Sequence, residues 1–304
     1  MATLTVPVVI LVIAAGALHA AWNAIAKHIS DRVMGFAVMG VCEMAGAGLI
    51  VAVTGLPGRA AIWFAVASAV IHVGYEVALL NSYRLGAFNQ VYPIARGTSP
   101  LLVAVGAALF AGERLGLIPL AGVAILALGL MSLALSAGRL ARSDGPAIGV
   151  AVVTGLTIAS YTLVDGLGVR AAHDPYAYAG LMFLLQAPVF PVFALFRRPL
   201  RQWRDQVLVS RGLLAGALSL LAYGIVLWAQ SRAPLAEVAA IREVSVVFAA
   251  LIGMLFLKEQ FGPRRVAMVS LSSCAAAKPW ARFEQGRATL RSRCRSPSIA
   301  ISSR

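Results

Sequence analysis

Arg96 stands inside an apolar stretch, residues 88–113, that is about one bilayer crossing long. Tyr92 precedes it by four residues and Ser99 follows by three, so the three share one face of a helix. Pro93, Gly97 and Pro100 surround the arginine and predict a bent or locally opened helix. A guanidinium at membrane depth costs about 2.5–3.5 kcal/mol on insertion scales, so it must face protein, water or a ligand. The chemistry it suits is capture of an anionic group such as a carboxylate. Arg242 is a second such residue, followed directly by Glu243, and the two point about 100° apart on a regular helix. Arg242 is then the cavity candidate, and Glu243 is left to brace Arg96 or another helix.

Other ionisable groups at depth suit proton transfer. His72 and Glu76 are four apart and share a face, and Glu43 lies at the centre of its own apolar segment. These three are the proton-coupling candidates, since histidine titrates near neutrality. Glu76 is also within reach of Arg96 for an ion pair across the short joint between their segments. Trp22, Asn23, Tyr75, Tyr92, Tyr161 and Tyr223 offer aromatic walls and hydrogen-bonding tips. Asp165 sits four residues after Tyr161, and His19, Asp165 and Glu237 lie nearer segment ends. Each has a plainer alternative: a structural ion pair, an interhelical brace or aromatic packing. Glu113-Arg114 and Lys258-Glu259 read as solvated joint charges.

Elements able to position these groups follow from composition. The chain has 304 residues, of which 60% are hydrophobic and 12% charged, against about 25% charged in soluble domains. Such a chain cannot cover itself with polar surface and is an all-α polytopic membrane protein. Its net charge of +14 does not point to nucleic acid. Residues 278–304 hold 7 Lys/Arg against one Glu, and the rest of the excess is scattered at helix ends, where basic residues meet headgroups. Cys42, Cys274 and Cys294 have no pair spacing, so neither a disulfide framework nor a metal site is indicated. HExxH, GxSxG and Walker A patterns are absent, and no cofactor is implied.

Apolar segments fall at 4–26, 33–54, 60–81, 88–111, 116–136, 146–169, 175–196, 210–230, 235–257 and 263–278. The first is long enough to span and lacks a basic leader, so it reads as retained. Short joints predict consecutive helices as antiparallel neighbours, and only 197–211 is a larger, basic loop. An internal repeat runs at an offset of 146: Arg96, Ser99, Ala104, Phe110 and Glu113 fall on Arg242, Ser245, Ala250, Phe256 and Glu259, and His19 on Asp165. Five helices separate the copies, so the halves insert with opposite orientation, a transporter signature that puts a binding site at their interface.

The stretches HAAWNAIAKH (19–28), VYPIARGTSPLLVAVGAALFAGERL (91–115), YTLVDGLGVR (161–170) and FLKEQFGPRR (256–265) resemble the EamA type of the drug/metabolite transporter superfamily. The resemblance implies ten helices in two inverted five-helix repeats, residues 1–140 and 146–278; the Arg/Ser-rich stretch 279–304 reads from its composition as a basic disordered tail. The resemblance also implies a carrier of small metabolites in the plasma (inner) membrane, often working outward. The last segment departs from the pattern: VAMVSLSSCAAA spans only 12 residues before Lys278-Pro279. A shifted reading frame near residue 268 would leave such a tail. Joints after odd-numbered helices hold 13 Lys/Arg and those after even-numbered ones 4, which puts the N-terminus outside, whereas the family pattern puts both termini inside.

The function expected is a secondary, non-ATP transporter of small polar or amphipathic metabolites, an exporter working by alternating access. Its partners are a small-molecule solute and the lipid bilayer, with candidate proton coupling and no nucleic acid. The alternative is a membrane-embedded enzyme or lipid-handling subunit using the same cavity.

Overall fold

The computed structural model of the chain describes residues 4–84, 88–113, 115–136, 145–246, 248–249 and 252, and leaves the side chains at 79–84, 88–93, 133–136, 146 and 147 undescribed. All regular elements among the described residues are helical. The first half supplies α1 (Val6–Lys27), α2 (Arg32–Thr54), α3 (Arg59–Arg84), α4 (Phe88–Phe110) and α5 (Leu117–Ser136). The second supplies α6 (Gly145–Ala171), α7 (Pro175–Gln186), α8 (Val189–Arg197), α9 (Gln206–Gln230) and α10 (Leu235–Arg242). Six described segments are long and apolar enough to cross a membrane: 6–27, 32–54, 59–78, 148–171, 175–197 and 206–230. Shorter apolar helices occupy 94–110 and 117–132. The tenth segment, 263–278, the tail, Glu259 and the ends of the expected repeat lie outside the described residues.

Local chemistry sets the boundaries. Asp31, Asp174 and Asp205 each turn a carboxylate back onto backbone N–H groups at the starts of α2, α7 and α9. Gly55 closes α2 with φ of 77°, a conformation glycine adopts without a Cβ clash. The segment expected as one helix over 175–196 is interrupted at Ala187-Pro188 and runs as α7 and α8. Proline has no N–H to continue the ladder. The segment expected at 235–257 is likewise interrupted. After Arg242 the N–H groups of Glu243, Val244 and Val246 reach back three residues rather than four, so Arg242 and Glu243 sit at a tightened turn. The basic loop is shorter than 197–211, because α9 begins at Gln206 and residues 200–204 form a 3-10 turn.

Except for α4 and α5, sequential neighbours in the first half are not the principal packing partners, contrary to the expectation from short joints. α1 packs mainly on α9, α3 on α6, α2 on α9 and α7, and α4 on α5 and α6, while α2 and α3 hardly touch. Small residues permit the close approaches between the halves. A Cβ on Gly216 would lie 2.7 Å from the Met39 carbonyl oxygen, and one on Gly40 would collide with the carbonyl of Ala187. One large buried cluster joins α2, α3, α6, α7 and α9 through Ala47, Ala65, Val169, Tyr178, Met182, Phe183 and Leu227. Outside, Leu49, Val53, Trp63 and Leu128 are left exposed, as a lipid-facing surface requires.

Candidate functional site

The alternating course of the helices gives the bundle two ends. Joints 28–31 and 198–205 share one end; joints 55–58, 111–116, 172–174 and 231–234 share the other. A partly open cavity with an empty volume of about 710 Å³, mouth included, occupies the half of the bundle nearer joint 28–31. α1 contributes His19 and Trp22, and α2 contributes Phe36, Met39, Gly40 and Glu43. α3 contributes His72, Tyr75 and Glu76, and α6 contributes Tyr161. Phe183, Gln186, Ala187 and Phe190 come from the broken segment, and Ser219 and Tyr223 from α9. Both sequence halves therefore wall it.

At its floor the rings form a continuous group. His72 stacks on Tyr161 with centroids 4.0 Å apart, and Tyr223 meets His72 edge-on at 5.3 Å. His72 Nδ1 lies 3.0 Å from both the hydroxyl and the carbonyl of Ser68, which fixes the ring along its own helix. Behind this floor Asp165 is fully buried and accepts hydrogen bonds from the hydroxyls of Tyr178, at 2.8 Å, and Tyr223. The Asp165 carboxylate thus goes to two phenols on other helices, the plainer interhelical brace that its place near a segment end allowed.

The two arginines lie behind the wall rather than on it. Arg96 is 2% exposed and donates to Glu243 Oε1 at 3.0 Å, the brace expected for Glu243. It also contacts His19 Nε2. Trp22 Nε1 approaches the other ring nitrogen of His19 at 3.3 Å. A neutral imidazole has one acceptor nitrogen, so His19 can serve Trp22 or Arg96 but not both at once. His19 therefore couples a cavity aromatic to the buried ion pair. Arg242 is 4% exposed; it reaches the Thr162 hydroxyl at 3.4 Å and lies 5.9 Å from the centroid of Tyr161. Ser99 is buried on α4 and is not in the wall, and Asn23 donates to the carbonyl of His19 at 2.8 Å instead of facing the cavity. Tyr92 belongs to α4, with its side chain outside the described residues.

Sequence reasoning brought Trp22, Glu43, His72, Tyr75, Glu76 and Tyr161 to the cavity. It did not single out His19, Gln186 or Ser219 as wall residues. The 146-residue offset that sets His19 against Asp165 was the available signal for the first; Gln186 and Ser219 carried none.

The far end is tied by a network around Glu113, which sequence reasoning assigned to solvent. Glu113, read as a solvated joint charge, has its side chain 13% exposed and pairs with Arg170 at 2.7 Å. Its two oxygens also accept the Leu235 N–H at 3.0 and 2.9 Å, at the start of α10. Arg170 in turn donates to the carbonyls of Gln230 and Ala233. Joints from both halves are thereby tied together. The correction has a physical cause: a helix start leaves N–H groups without intrahelical acceptors, and a nearby carboxylate is drawn to them.

Fold and cavity define a polytopic helical membrane protein with a polar, aromatic chamber between two sets of helices. The EamA-like transporter family matches residues 145–277, so this part of the chain is an EamA-like transporter domain. The match lies in the second half of the chain, and the family is described as one of transporters. Among solved structures 27 chains match. One, titled only "Crystal structure of protein", superposes with a TM-score of 0.70 at 15% identity, covering 90% of this chain and 97% of that one. The likeness concerns the fold alone. No match was found among curated proteins.

Proposed function

We propose that the protein is a secondary carrier that moves small polar or amphipathic metabolites, as an exporter, by alternating access. The observation that carries this reading is the cavity, which holds ionisable groups at membrane depth and draws its wall from both halves of the chain. The helix pairing supports two related halves: α1 on α9 and α3 on α6 are the same pairing with the halves exchanged, if α7 and α8 count as one segment. The two ends support alternation, because one holds the cavity and the other is tied by Glu113 and Arg170. In this reading the Glu113 network opens when the chamber closes. Glu43, His72 and Glu76, all on the wall, carry the coupling protons.

Purified protein in vesicles tests the reading. Counterflow of a labelled solute, recovered chemically unchanged and dependent on the protein, is expected. Absence of flux for a broad panel of amines, amino acids, sugars and nucleosides, or recovery of a chemically altered solute, would overturn it in favour of an embedded enzyme.

A further inference from the structure

The described residues lining the cavity include two carboxylates, Glu43 and Glu76, and no lysine or arginine. The groups just behind the wall do not reverse that sign. Arg96 is neutralised by Glu243 at 3.0 Å, which leaves Arg242 against Asp165, and Asp165 is held by phenols rather than by a cation. Among the described residues, four carboxylates thus surround the chamber against two guanidiniums. Buried charge that is not compensated within the protein must be met by protons or by a bound ion of opposite sign. An ion that compensates this excess, in place of protons, has to be a cation.

The rest of the wall fits one. Trp22 and Tyr75 line the same chamber as Glu43 and Glu76, and its floor is the Tyr161–His72–Tyr223 ring group. Aromatic faces attract ammonium groups and also accept an apolar body. Gln186 is 5% exposed, lines the cavity, and its Oε1 has no hydrogen-bond partner among the described residues. A buried amide oxygen without a partner is costly, and an N–H of the cargo would supply what it lacks.

Resting on the transport reading of the same cavity, we propose that its cargo is a protonated amine carrying an aromatic or alkyl body, not a carboxylate. The ammonium sits between Glu43 and Glu76 and donates to Gln186, while the body lies on the rings. Cargo and protons then compete for the same two carboxylates.

A charge series on one body tests this: phenethylammonium, 2-phenylethanol and phenylacetate. Binding to the purified full-length chain is read by calorimetry and by the shift in thermal unfolding, and transport separately by counterflow in vesicles. The ammonium is expected to bind at least about 10-fold more tightly than either analogue, a difference of about 1.4 kcal/mol. Glu43→Gln and Glu76→Gln should each reduce that preference while leaving the alcohol's affinity unchanged. Equal or tighter binding of phenylacetate, or no binding of the ammonium to the wild-type chain, would overturn the proposal. The wild-type series stands even where a variant fails to fold. Ammonium binding without flux would refute the transport reading and sustain this one. Flux of another solute with no ammonium preference would do the reverse.

Discussion

Arg96 and Arg242 are both buried and stand 146 residues apart, yet their surroundings differ. Arg96 is locked to Glu243 at 3.0 Å and touches His19. Arg242 has one long hydrogen bond, to Thr162 at 3.4 Å, its Nε has no hydrogen-bond partner among the described residues, and its charge lies 5.9 Å from the Tyr161 ring centroid. The asymmetry traces to single positions. Where the second half has Glu243, the first has Gly97, packed so closely on α5 that a Cβ would lie 3.1 Å from the Ala127 carbonyl. Where the first half has His19, the second has Asp165, and that carboxylate is taken by Tyr178 and Tyr223. One glutamate therefore serves one arginine. The comparison teaches that two arginines 146 residues apart do different work, one in a fixed brace and one as a loosely held charge behind the cavity wall.

Breaking the brace should have the largest effect. Glu243→Ala leaves the Arg96 guanidinium buried without its partner, at a cost of about 3–5 kcal/mol. The expected result is a strong fall in thermal unfolding temperature, or loss of monodisperse protein in detergent. Arg96→Ala should cost less, because a stranded carboxyl can take up a proton and a guanidinium cannot lose one. Equal losses in the two variants would remove that asymmetry.

At the closed end, Glu113→Gln should cost about 2 kcal/mol, since it discharges a carboxylate bound to Arg170 and to the start of α10. It should also raise accessibility of the 231–234 joint to hydrogen exchange. Arg242→Ala is expected to lower stability by only about 1 kcal/mol, given its long hydrogen bond, while abolishing counterflow. Normal flux in that variant would make Arg242 a spectator. The smallest effect belongs to Asp31→Asn. Its 2.7 Å bridge to Arg198 is partly exposed on both sides, and such pairs contribute up to about 1 kcal/mol. Thermal unfolding of the purified variants ranks all five.

Much of the architecture was legible from residues. Apolar length located α1 to α6 and α9 within a few positions, because backbone groups in lipid must bond within their own segment. What escaped was tertiary. Short joints suggested packed neighbours, but α2 and α3 diverge and α1 and α3 pack on α9 and α6, since close approach follows small residues such as Gly216 and Gly40 rather than chain order. Pro188 signalled a break that the apolar run around it concealed. In the site, an intramembrane charge announced a costly group but not its neighbour. Glu243 was identified as a brace, and the proximity that let Glu76 be considered for Arg96 was proximity in sequence. His19, Gln186 and Ser219 reached the wall through helix rotation, which the pattern of apolar residues did not encode.

Alternating access requires a wet chamber that opens at one end while the Glu113 end stays shut. A single cysteine at Tyr75, in a chain with Cys42, Cys274 and Cys294 replaced by serine, reports on it through a membrane-impermeant maleimide. Labelling is predicted from the side that also labels Asp31→Cys, slowed by saturating cargo, and faster from the opposite side once Glu113→Gln is added. Labelling from neither side, or from both at equal rates before that change, would contradict it.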